Sequence, residues 1–276
     1  MIDYWKVKND FLLWLRNRGL DWDNYAKQLI RHLEKFSKPI NRPMDVVNMF
    51  DTLNNSQKRH LTNGLRNLFN FYQSQGIDSK QHLDILRDNF PRTFIGVDLN
   101  VPSETEILDS IKLLQKRDSD KRILALYNLL LDSGLRLIEG VRLYNLLVTN
   151  GLKFERQNGF YVVALGYFRN TKLAYFGFIT DYTMGLLREC EKPLVYKKIM
   201  GSATKRFNVV SYKYLRKFVF DMMTSEQLNI PESVADFIEG RTAKSVGARH
   251  YMNLKRKAIQ FYPRYSTYLA SLRLRL

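Results

Sequence analysis

A single change of hydrophobic period constrains this chain most. Nearly everywhere its apolar residues recur at the three- and four-residue spacing of helices, and they switch to a strand rhythm once, near the middle. There Gly159-Phe160-Tyr161-Val162-Val163-Ala164-Leu165 and Leu173-Ala174-Tyr175-Phe176-Gly177-Phe178-Ile179 form two aromatic and β-branched runs, separated by Gly166 to Lys172. That pattern predicts a hairpin whose turn spans Gly166–Lys172. The expected fold class is mainly α with a small antiparallel β-sheet.

The helical stretches fall into two groups. Phe11, Leu12, Trp14 and Leu15 mark a first helix stopped by Gly19, and Tyr25, Leu29, Ile30, Leu33 and Phe36 a second that ends near Pro39. Val46, Val47, Met49 and Phe50 form a third face, and Leu61, Leu65, Leu68, Phe69 and Tyr72 a fourth closed by Gly76. Pro91 to Pro102 breaks the rhythm with two prolines, Gly96 and Asn100, as an interdomain linker would. Ser103 and Glu106 then have the spacing of a capping box, where a new domain begins. The expected division is a helical domain over 1–90, a linker over 91–102, and a mostly helical domain with the hairpin over 103–276. No internal repeat or low-complexity tract is present.

Composition narrows the partners. The 276 residues carry a formal charge of +17, more than solubility needs, and residues 201–276 hold 14 Lys/Arg against 5 Asp/Glu. An excess of this size and clustering points to a polyanion, with the strongest phosphate contacts in the last quarter. No apolar run approaches the roughly 18–20 residues that span a bilayer, and Met1 to Trp5 lack a signal-peptide pattern. Cys190 is the only cysteine and His residues number 4, which leaves no disulfide and no basis for a structural zinc site. The expectation is a cytoplasmic nucleic-acid-binding protein, free of cofactor and metal, with no membrane partner.

Covalent chemistry on a phosphodiester without metal or nucleotide needs three kinds of group. They are a nucleophile, fixed cations for the charge that grows on the non-bridging oxygens, and a proton donor for the leaving hydroxyl. Arginine suits the second task through its planar, permanently charged fork, and a desolvated lysine suits the third. Four segments carry such groups. Leu131-Asp132-Ser133-Gly134-Leu135-Arg136-Leu137-Ile138-Glu139-Gly140 places Gly134 at a helix end, and Arg136 and Glu139 one turn apart at the start of the next helix. Alone, that pair reads first as an ordinary surface ion pair. Lys172 stands where the second hairpin strand begins, with Arg169 in the same turn. Ser211-Tyr212-Lys213-Tyr214-Leu215-Arg216 puts Lys213 and Arg216 on one helix face. Phe237-Ile238-Glu239-Gly240-Arg241 is followed ten residues after Arg241 by Tyr251, one of 16 tyrosines.

Taken in order, these segments resemble the boxes of the tyrosine recombinase family. The first resembles the Gly-Leu-Arg-x-x-Glu box, which implies that Arg136 binds the scissile phosphate and Glu139 supports the site. Lys172 matches the catalytic hairpin lysine, the general acid for the 5′ oxygen, and Arg169 is then a DNA-backbone contact. Lys213 and Arg216 stand at the His-x-x-Arg box with Lys in place of His, so Arg216 is the second phosphate clamp. Arg241 replaces the family's usual His or Trp after Gly240. Lys244 to Leu254 resembles the tail of a recombinase catalytic domain, with Lys244 and Arg249 as DNA contacts and Tyr251 as the nucleophile. Tyr262 and Tyr265 fit the spacing poorly, and His250, beside Tyr251, is the weaker candidate for a base. Phe11 to Leu20 is similar to part of the family's core-binding domain. The two substitutions look most like the integrases of archaeal viruses and plasmids, particularly the fusellovirus type.

The resemblance implies an enzyme that cleaves and religates double-stranded DNA through a 3′-phosphotyrosyl intermediate. It implies four protomers acting on two sites, with a monomer or weak dimer when free of DNA. Two alternatives share these features: a type IB topoisomerase-like enzyme, and a catalytically inactive DNA-binding or architectural protein. For residues 255–276 two readings stand, a helix packed on its own domain and a tail docked on a neighbouring protomer.

Overall fold

The computed structural model describes residues 1–20, 22–93, 96, 98–116, 121–149, 154–169, 172–241 and 253–276, with the backbone alone at 24, 167–169, 172 and 173. They divide into two compact units, Met1–Asp98 and Leu99–Leu276.

The first unit holds α1 (Tyr4–Asn17), α2 (Lys27–Phe36), α3 (Pro43–Phe50), α4 (Asn55–Ser74) and α5 (Lys80–Asp88), with a π-helical turn over Trp22–Ala26 leading into α2. Asp3, Asn54 and Ser79 each accept a first-turn amide of the helix they precede, which removes donors the helix itself cannot pair. Phe11, Leu15, Leu33, Leu61, Leu65 and Phe69 form the centre of its core. Tyr72 closes the N-terminus by accepting the Asp3 amide and donating to the Asp3 carbonyl. Helix α5 buries only Leu83 and Leu86, too thin an apolar stripe to stand out by period.

In the second unit α6 (Glu104–Lys116), α7 (Lys121–Ser133) and α8 (Leu137–Val148) precede a three-stranded sheet of β1 (Phe154–Arg156), β2 (Phe160–Arg169) and β3 (Lys172–Thr180). It continues with α9 (Asp181–Arg188), α10 (Tyr196–Ile199), α11 (Tyr212–Thr224), α12 (Glu232–Ile238) and α13 (Leu254–Arg273). The expected class is borne out: mainly α, with a small antiparallel sheet in the order β1-β2-β3. The capping box at Ser103 forms, the Glu106 carboxylate accepting the Ser103 amide and the Ser103 hydroxyl accepting the Glu106 amide.

The hairpin differs from its sequence reading. Its strands run to Arg169 and restart at Lys172, which are paired Cα partners, so most of the stretch expected to be turn is strand. Gly166, at φ +55°, sits where the register shifts between Ala164 and Tyr167. It is absorbed as a bulge instead of opening a turn. β1 was not foreseen, because three exposed residues carry no alternation.

Helix α7 is the axis of this unit. It packs against α6, α8, α9, α11 and β3, and from Ala125 to Ser133 every residue is buried. Its last turn is bolted to the C-terminal helix. Tyr265 and Tyr262 donate to the carbonyls of Leu131 and Asp132 at 2.9 and 3.1 Å. The Asp132 carboxylate meets Arg273 at 2.6 Å and accepts both the amide and the hydroxyl of Thr180. α13 therefore packs on its own unit, the first of the two readings for this segment. The loop that begins at Gly134 leaves from a rigid base.

Candidate active site

Arg136 is the N-cap of α8. Glu139, buried one turn on, accepts the Arg136 amide at 2.9 Å with one oxygen and its guanidinium at 2.9 Å with the other. The Glu139 carboxylate thus ties the side chain of Arg136 to its own backbone amide, which fixes the direction of the guanidinium. The same guanidinium donates to the Gly240 carbonyl at 3.0 Å. Arg216, on α11, donates to the carbonyls of Glu239 at 2.6 Å and Gly134 at 2.8 Å. Two consecutive carbonyls, Glu239 and Gly240, therefore hold the arginines of two distant boxes side by side.

Both anchoring turns require glycine. Gly134 lies at φ +60° and Gly240 at φ +69°, where a side chain is strained. A Cβ on Gly134 would fall 2.7 Å from Cγ and Oε1 of Glu239, and one on Gly240 2.9 Å from Cβ of Ala174. The second contact sets the Gly240-Arg241 turn against β3, two residues along that strand from Lys172.

Arg241 reaches Glu239 at 2.9 Å and Asp236 at 3.5 Å, and its guanidinium lies 4.6 Å from the Phe220 ring centroid. Burial and the neighbouring Arg136 and Arg241 lower the Arg216 pKa to about 10, against the pull of Glu239 and Glu139. Burial pushes Glu239 up to about 7, against Arg216 and Arg241. Arg216 keeps one buried nitrogen, Nη2, without a hydrogen-bond partner among the described residues.

A cavity of about 420 Å³ opens between the first turns of α8 and α11, lined by Arg136, Lys213, Arg216, Ser211, Gly201 and Thr204 among others. Two helix N-termini and three cationic side chains converge there, which favours an anion. Arg136, Arg216 and Arg241 are thus brought into one network with Glu139, and Lys213 joins Arg136 and Arg216 at the cavity. Arg169 and Lys172 are placed by their backbone, at the facing ends of β2 and β3. Lys244, Arg249, His250 and Tyr251 lie outside the described residues.

Residues 99–268 match the family model described as archaeal phage integrase. The chain belongs to the archaeal phage integrase family. No curated protein matches the integrase at the level of sequence. Among solved structures it is similar to a lambda integrase(75–356) dimer bound to a COC′ core site, with a TM-score of 0.60 and 13% identity over 89% of this chain and 96% of that one. The resemblance to tyrosine recombinases read from the boxes is borne out, and family and fold together support a site-specific recombinase. What sequence reasoning missed in the integrase is Glu239. The signal was available: an acid at the end of the helix that carries Val234, Ala235, Phe237 and Ile238, directly before Gly240-Arg241.

Proposed function

We propose that this integrase cuts and rejoins double-stranded DNA by conservative site-specific recombination, with Tyr251 as its nucleophile. The observation that carries the reading is the cationic cavity, where Arg136 and Arg216 are fixed side by side by the carbonyls of Glu239 and Gly240. Such an array suits a phosphoryl group whose non-bridging oxygens gain charge, because its dipoles and cations need no reorganisation when the charge appears.

The Tyr251 phenol gives its proton to solvent water as its oxygen bonds to phosphorus, and the bond from phosphorus to the 5′ oxygen breaks. A 3′-phosphotyrosyl linkage and a free 5′ hydroxyl result, and the linkage conserves the energy for rejoining. Arg136, Arg216 and Arg241 stabilise the charge, Glu139 orients Arg136, and Lys172 gives the leaving oxygen its proton. Lys213 stands at the cavity where the family has His. Arg169, Lys244 and Arg249 contact the flanking backbone. The other tyrosines after Arg241 support the choice of Tyr251. Tyr262, Tyr265 and Tyr268 are buried, their hydroxyls donate to Asp132, Leu131 and Glu104, and burial raises the pKa of each. Four protomers on two sites, inside the host cell and without cofactor, complete the proposal.

The test is a pool of randomised duplexes carrying a nick, so that a cut releases a short strand and traps the covalent adduct. The wild-type chain is expected to form DNA adducts whose tryptic peptide contains Tyr251. Tyr251→Phe is expected to form none while still binding DNA. Adducts at normal yield from Tyr251→Phe would remove Tyr251 from the mechanism, and specific binding without any wild-type adduct would make the protein a binder.

A further inference from the structure

We infer that Glu239 is a positioning residue of this site, a buried carboxylate behind the cavity that holds Arg216 and Arg241 as one unit. The inference rests on the recombinase reading and deepens it. Glu239 grips Arg216 twice, through its carbonyl at 2.6 Å from Nη1 and through Oε2 at 3.6 Å from Nε. The same Oε2 meets Nη2 of Arg241 at 2.9 Å. Glu239 is fully buried and is not part of the cavity lining, whereas Arg216 is. It therefore acts through the arginines and does not touch the phosphate.

Stability alone does not account for an acid at this position. Neither carboxylate oxygen accepts a hydrogen bond from the described residues, and a well-packed apolar side chain commonly serves a fold as well as a buried ion pair. The chain nevertheless makes room for it, with glycine at position 134 where any Cβ would strike Glu239. The charged and titratable groups around it come from every packed element: Arg136 and Glu139 on α8, Arg216 on α11, Asp236 on α12, Arg241 beyond α12, and Tyr265 on α13. Burial sets the carboxyl near half-ionisation at neutral pH, and the ionised form is the one that attracts both guanidinium groups.

The sequence recovered from the covalent adducts above, remade as a nicked duplex, supplies the substrate. The wild-type rate of adduct formation is expected to rise through an inflection near pH 7 as Glu239 ionises. Glu239→Gln keeps the shape and removes the charge. Its rate at pH 8 should fall roughly 10- to 100-fold, the cost of arginines displaced by about an ångström. DNA affinity should stay within about threefold, since the phosphate contacts that dominate binding remain, and the inflection should disappear. Glu239→Asp, with the charge on a shorter arm, should keep the inflection at a reduced rate. A Glu239→Gln chain with wild-type rate and pH profile overturns the assignment. So does a loss that only follows the folded fraction while the pH profile is kept. If Glu239→Gln does not fold, Glu239→Asp decides, and a full wild-type rate in that variant overturns the assignment. Failure of the wild-type chain to form any adduct overturns the recombinase reading itself, before any variant is compared.

Discussion

Among its described residues the second unit buries arginine against carboxylate in two places, and the two are built differently. At the end of α7, Asp132 faces one guanidinium, that of Arg273, and the remaining partners are neutral: Thr180, Thr183 and Asn128. Both oxygens of Asp132 accept hydrogen bonds, and only Nε of Arg273 lacks a partner among the described residues. Some 100 residues of chain separate Arg136, Arg216 and Arg241, which share Glu139, Glu239 and Asp236. There, buried polar atoms of Arg216 and Glu239 have no hydrogen-bond partner among the described residues. The first centre is nearly complete and joins α7, β3, α9 and α13. The second keeps unpaired buried atoms behind a cavity lined by Arg136, Lys213 and Arg216. A fully satisfied network of buried charges rigidifies the fold, and a partly satisfied one carries a cost in stability.

The contrast can be broken by mutation. The largest effect is expected from Arg216→Ala, which in the proposed mechanism removes a phosphate donor and should lower adduct formation about 10³-fold, measured by single-turnover kinetics. Its melting temperature should fall less than that of Asp132→Ala. The latter leaves Arg273 buried without its carboxylate, at about 4 kcal/mol or roughly 10 °C by calorimetry. If Arg216→Ala proves the more destabilised of the two, the division into a functional and a structural centre collapses.

A third expectation uses pH. The folded-state pKa of Glu239, about 7, lies above its ordinary value of 4.5, so the native chain holds a proton that the unfolded chain has lost between those values. The favourable contribution is complete below pH 4.5, declines as pH rises, and is gone above pH 7, a change of about 3 kcal/mol. Urea unfolding at pH 5 and pH 8 should show this fall, and Glu239→Gln should flatten it. A slope unchanged in the variant would assign the dependence to other groups. The smallest effect is expected from Gly240→Ala, where strain at positive φ and contact with Ala174 cost about 1–3 kcal/mol. The Gly240 carbonyl also supports Arg136, so adduct formation should drop further than stability predicts.

Legibility in the sequence followed the range of the signal. Arg136 and Glu139 were readable because the contact between them is local, three residues apart in sequence. Lys213 and Arg216 were readable for the same reason, a shared helix face. Helix α13 runs through Pro263, a residue that usually breaks helices. What holds it together is not local: Tyr262 and Tyr265, flanking the proline, are tied to carbonyls of α7. The hairpin's extent was misread at Gly166 because only pairing with the partner strand decides between bulge and turn.

The sequence by itself determined the helical class, the two long strands of the sheet, the cationic excess and the order of the boxes. Each depends on residue type and spacing along the chain. Only the tertiary structure decided that Glu239 belongs with Arg216 and Arg241, that Gly134 must stay small for it, and that Asp132 and Arg273 form the bolt behind the loop. Those partners lie between a few and 141 residues apart, and electrostatic and steric contact act through space, where spacing in sequence carries no information.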